Sequence, residues 1–154
     1  MCPLLFVPRR TAVRLPRSLS GWTMAVFGVL AAALGVVGLV APDALLTVMG
    51  FEPVPEGGRA DGDHTLVFLT ASSMAALNMG VYYVLASLAD WKAFFRWTVP
   101  FRLLTCAVFT LAVVTGRAPA GFIGVGLWEG LGAVVTGLAL RFEKRAVPGA
   151  QAPA

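Results

Sequence analysis

The chain has 154 residues, 58% of them apolar and only 13% charged, with a formal net charge of +4 and a mean hydropathy of +0.80. An ordinary soluble domain is roughly 45–50% apolar and 25% charged, and at this size it leaves close to a third of its folding surface in water. Soluble globular, disordered, collagenous and disulfide-rich secreted classes are therefore excluded, and the composition is that of a membrane protein.

In chain order, Met1–Gly21 is rich in arginine, contains no acid and includes Pro3, Pro8 and Pro16. Leu4–Val7 is too short for the apolar core of a secretory signal. The segment is expected to be a basic cytoplasmic lead-in that holds the first helix inside, with an organellar transit peptide as the alternative. A first span is expected at 22–40, uncharged and closed by Ala41-Pro42-Asp43. The link that follows, 41–64, holds Pro42, Pro53, Pro55 and four glycines, with an apolar piece, Ala44–Phe51, expected to form a partial helix along the interface. Asp61, Asp63 and His64 close the link. They resemble a metal triplet, but the reading adopted is that Asp63 caps the second span and complements its dipole.

The second span, 65–88, is uncharged; the third, 94–114, carries Arg96 and Arg102; the fourth, 120–140, carries Glu129. Each is long enough to cross about 30 Å of hydrocarbon as a helix, and irregular backbone cannot face lipid. Five-residue links at 89–93 and 115–119 should set the joined helices side by side and antiparallel. Residues 141–154 read as a cytoplasmic tail. The expected fold is all-α, a four-helix transmembrane bundle running up-down-up-down.

Orientation follows from the basic residues. With four spans both termini share a side, and that side holds nine Lys and Arg against two, Arg59 and Arg117, on the other. The acids are complementary, with Asp43, Glu52, Glu56, Asp61 and Asp63 opposite the basic side. Both termini are thus expected in the cytoplasm, in an inner membrane whose anionic lipids meet the basic rim. The high charge is a topology signal, so nucleic acid is not an expected partner.

Three strongly polar residues fall deep in the spans: Asn78, Arg102 and Glu129. At about 1.5 Å of rise per residue, all three lie within about 3 Å of their span midpoints. A charge at that depth costs about 2.5–3.5 kcal/mol on insertion scales, so it calls for a partner. An Arg102–Glu129 ion pair with Asn78 bonded to it is expected. Thr98, Arg102, Thr105 and Cys106 share one polar stripe of the third span, beside Pro100, which frees the Arg96 carbonyl and should bend the helix. The candidate binding residues are Asn78, Arg102, Glu129, Thr98 and Thr105. Gly126-x-x-x-Gly130, Ser72-x-x-x-Ala76-x-x-x-Gly80 and Ala31-x-x-x-Gly35 permit close helix packing, within the bundle or across a homo-oligomer seam.

No Walker loop, GxSxG, HExxH or dinucleotide fingerprint occurs, and two cysteines with one histidine offer no zinc site, so no metal or cofactor is expected. Gly38-Leu-Val-Ala-Pro42, the loop ending Asp61-Gly-Asp-His64, Asn78-Met-Gly80-Val-Tyr-Tyr and Arg96-Trp-Thr-Val-Pro-Phe-Arg102 together resemble the layout of short bacterial four-helix DoxX-like membrane proteins, over about residues 22–140. The resemblance implies a four-helix bundle in a bacterial inner membrane, with an accessory role near quinone or redox chemistry in some members, and it assigns no functional residue. Two functions stay open. One is a non-catalytic accessory bundle that binds a lipophilic small molecule. The other is a membrane-embedded enzyme or proton-coupled carrier acting through Glu129 and Arg102.

Overall fold

The structure is a computed structural model that describes residues 15–53, 55 and 60–146. The lead-in at 1–14 and the tail at 147–154, together with Arg59 and Glu56 of the long link, lie outside the described residues. Five α-helices follow in order: α1 (Leu19–Val40), α2 (Pro42–Val48), α3 (Thr65–Leu88), α4 (Lys92–Val114) and α5 (Ile123–Ala146). A 3-10 turn, Ala120–Phe122, leads into α5. No strand occurs among the described residues. Four of the helices are long and apolar enough to cross a membrane, and the expected spans fall on them to within a few residues.

Local sequence sets the ends of these helices. Ser18 caps α1, its hydroxyl accepting the Gly21 N–H at 3.0 Å. The apolar piece of the long link is helical over Pro42–Val48 and begins on a proline, whose fixed φ suits a first helical position. Asp63 does lie at the entry of α3, where its carboxylate accepts the Thr65 amide (2.8 Å) and hydroxyl (2.6 Å), one residue ahead of His64 at the cap position. α4 runs unbroken through Pro100.

Pairing is uneven. α1 and α3 form one intimate pair and α4 and α5 another, and the two pairs meet where α1 lies against α5. α3, despite its five-residue link to α4, makes little contact with α4 or α5. The reason is a glycine seam. A Cβ on Gly80 would sit 2.5 Å from both the Ala32 nitrogen and the Gly28 carbonyl oxygen, and one on Gly35 would sit 2.6 Å from the Leu77 nitrogen. Backbones that close hold α3 on α1. The small-residue motif of α3 is therefore used within the chain, through Ser73, Leu77 and Gly80 rather than Ser72 and Ala76.

The buried core, Met24, Phe27, Tyr83, Ala86 and Phe95, draws on the first half of α1, the end of α3 and the start of α4. Thr136, late in α5, is 1% exposed there, its hydroxyl 3.2 Å from that of Thr23. At this end all four long helices converge. Toward the other end the α1–α3 pair and the α4–α5 pair separate, and α2 and the 3-10 turn bridge the opening. Gly50 packs on Gly121, and Phe122 contacts both Phe51 (centroids 5.9 Å) and Phe109 (4.9 Å).

Candidate functional site

Arg102 is 3% exposed on α4, and its Nε donates to Glu129 Oε2 on α5 at 3.1 Å, so the ion pair expected from depth alone is present. Three neighbours seat the guanidinium. Its central carbon lies 3.4 Å from the centroid of Phe27, a cation–π contact worth about 2 kcal/mol when desolvated. Trp128 stacks on the same Phe27 ring at 4.8 Å. Gly132 supplies the room: a Cβ there would be 1.7 Å from Arg102 Nη2. Neither Nη1 nor Nη2 has a hydrogen-bond partner among the described residues.

Glu129 faces two ways. One oxygen meets Arg102; the side chain, 21% exposed, also lines a cavity of about 630 Å³. Leu34, Leu45, Met49, Phe109 and Val125 make the cavity mainly apolar, and Ser72 and Ser73 add hydroxyls. Glu129 is the one charged side chain among its described lining residues. α2 closes one end of this chamber, and its side lies where α3 stands apart from α4 and α5. The volume falls in the range of about 300–1,000 Å³ usual for small-molecule sites.

The other predicted binding residues are placed elsewhere. Asn78 is exposed and has no hydrogen-bond partner among the described residues. Five residues before buried Tyr83, it points about 140° away from it around the helix at 100° per residue, so it cannot join the ion pair. Thr98 is buried but donates to the Phe95 carbonyl at 2.8 Å, with Met24 Sδ at 3.8 Å. Thr105, half-buried, donates to the Phe101 carbonyl at 3.0 Å. Both threonines satisfy themselves on their own helix, an outcome that residue type and stripe position alone do not exclude.

Sequence reasoning missed Phe27, Gly132, Ser72 and Ser73. It also gives no partner to Lys92 or Glu143. In the structure they meet at 2.5 Å, and Glu143 further accepts the Ser20 amide (2.7 Å) and hydroxyl (3.0 Å). Lys92 also reaches the Ser20 hydroxyl at 2.8 Å and Asp90 at 3.3 Å, and Ser18 donates to Asp90. This latch ties the start of α1, the α3–α4 link and the end of α5. Its signal in the sequence was the pairing of a Ser-x-Ser helix start with opposite charges at two other helix ends.

Among the described residues no group of three His, Cys, Asp or Glu could hold a metal ion. The arrangement offers a charged acceptor in the wall of a mainly apolar chamber, backed by a guanidinium with spare donors. The chain matches no protein-family model, no curated protein and no solved structure.

Proposed function

We propose that the protein is a multi-pass protein of a bacterial inner membrane, a non-catalytic accessory bundle that binds a lipophilic molecule carrying a hydrogen-bond donor. The chain then runs up-down-up-down with both termini cytoplasmic, as the nine-to-two split of Lys and Arg indicates. The meeting of residues 18–20, 90–92 and 143 at one end supports that topology. The resemblance of its layout to DoxX-like proteins supports an accessory role.

One observation carries the ligand reading: a single carboxylate in the wall of a mainly apolar chamber of about 630 Å³ that lies beside a gap between helices. A hydroxyl-bearing or cationic lipophile would enter sideways from the bilayer and donate to Glu129, leaving its apolar body on Leu34, Leu45 and Phe109. The second reading, an enzyme or proton-coupled carrier, is favoured by the unpartnered Nη1 and Nη2 of Arg102 beside Glu129, since spare donors let the pair exchange partners.

The test is purification in mild detergent, with bound lipophiles identified by mass spectrometry. Wild type and an Arg102→Gln/Glu129→Gln double variant are expected to fold alike, with the lipophile lost from the double variant. Glu129→Gln alone leaves a buried guanidinium uncompensated and is expected to lose about 3–5 kcal/mol of stability. Retention of the same lipophile by the folded double variant would remove the binding reading. Transport or turnover that Glu129→Gln abolishes without loss of fold would put the second reading first.

A further inference from the structure

We propose that the outer face of α3 is a self-association surface through which two copies of this chain pair, Asn78 against Asn78, near the middle of the membrane. Phe68, Ala71, Ala75, Asn78, Tyr82 and Leu85 recur at alternating steps of three and four, the spacing of a helix–helix seam. All six are exposed, Phe68, Tyr82 and Leu85 by 73%, 56% and 57%. They lie opposite the face that α3 gives to α1, where Ser73, Gly80 and Ser87 are buried. No described residue covers this seam, because α3 packs almost wholly on α1.

Asn78 says what covers it. It lies within about 2 Å of the α3 midpoint at 1.5 Å per residue, so its short side chain is roughly 15 Å from either edge of the hydrocarbon. At that depth neither water nor a lipid headgroup can serve the amide, and an unserved amide in hydrocarbon is costly. The other groups of similar depth, Arg102 and Glu129, are engaged with each other across α4 and α5.

A second copy supplies the missing partner by symmetry. Copies inserted with the same orientation carry Asn78 level with one another, and a two-fold axis along the membrane normal sets the two amides face to face. A primary amide is both donor and acceptor, so it complements itself, as a carboxylate or an ammonium would not. Ala71 and Ala75 let the backbones approach closely enough for amides on short stems to touch. One polar residue in an apolar seam also fixes register and copy number.

The experiment uses the full chain with Cys2→Ser and Cys106→Ala, reconstituted in phosphatidylcholine/phosphatidylglycerol vesicles at two lipid-to-protein ratios. Single cysteines replace Ala75 or Tyr82 on the seam, or Val108, which is 52% exposed on α4, and are oxidised to disulfides. Seam cysteines are expected to give a dimer that persists on dilution and exceeds that of the Val108 position several-fold. Adding Asn78→Leu should weaken it about threefold to twentyfold, the usual range for an interhelical hydrogen bond in a membrane, while Asn78→Gln largely restores it. Cross-linking no greater on the seam than on α4 overturns the proposal even if Asn78→Leu fails to fold. So does an unchanged dimer in a folded Asn78→Leu, or a seam occupied by a different protein.

Discussion

Arg102 has five N–H donors, of which only the one on Nε has a hydrogen-bond partner among the described residues, and besides Glu129 its guanidinium is seated by Phe27 and by the missing side chain of Gly132. A methyl group on Gly132 meets first the far end of a flexible side chain, with the Phe27 ring behind it at 3.0 Å, so the guanidinium can yield, but only by leaving its seat. Gly132→Ala is therefore expected to cost about 1–3 kcal/mol, as overpacking commonly does. Most of that cost should vanish when the same change is made in the Arg102→Gln/Glu129→Gln double variant, because the clashing group is gone. Thermal melting of the four proteins measures the coupling directly. Asp90 offers a second case of a residue placed against its own preference. Its φ of +49° is left-handed, the conformation glycine favours at a helix C-terminus, and hydrogen bonds from Trp91 to Ala86 and from Asp90 to Ser87 close α3 there. The carboxylate, which glycine lacks, is what accepts from Ser18 and pairs with Lys92.

The α1–α3 seam behaves differently, because at Gly80 the obstructing atoms are backbone and nothing flexible can step aside. Gly80→Ala should force the two helices apart and lower the melting temperature more than Gly132→Ala does. Gly124→Ala, with no atom within 4 Å of the added Cβ, is the matched control and should leave it nearly unchanged. The contrast also explains what could be read from the chain beforehand. Span positions and the depth of Arg102 and Glu129 follow from rise per residue and the cost of charge in hydrocarbon, and both are legible in one sequence. Which face of α3 turns inward is not, because apolar residues surround the helix and lipid makes no demand that separates them. Only the glycines mark the contact, and Gly28 and Gly80 had to be matched across helices. Polarity alone places Asn78 inside, yet Gly80, two residues away, occupies the inner face.

Across the whole molecule, the latch of Ser18, Ser20, Asp90, Lys92 and Glu143 joins segments far apart in the chain. Glu143 lies beyond the apolar run of α5 that ends at Leu140. Its burial alone would raise the carboxyl, but the Lys92 ammonium and the two Ser20 donors outweigh that and hold it below the ordinary glutamate range. A depressed folded-state value means the contribution is complete above that range and is lost as pH falls through and below it. Melting temperature in detergent should therefore be flat near neutrality and decline on the acid side. Glu143→Gln should melt lower at neutral pH and show less of that decline. The side chains of Lys92 and Glu143 are a quarter or more exposed, so the ion pair is expected to contribute about 1 kcal/mol or less.

The latch has a consequence in time. Glu143 arrives 123 residues after Ser20, in the final turns of α5, whereas Ser18, Ser20, Asp90 and Lys92 all precede it in the chain. Three long helices can thus be threaded, and α1 and α3 paired, with only the Ser18, Ser20, Asp90 and Lys92 part of this corner in place, and the end of α5 completes it through Glu143. A ribosome that stops short of Glu143 would release a chain whose apolar runs are all present but whose near end lacks its tie to α5.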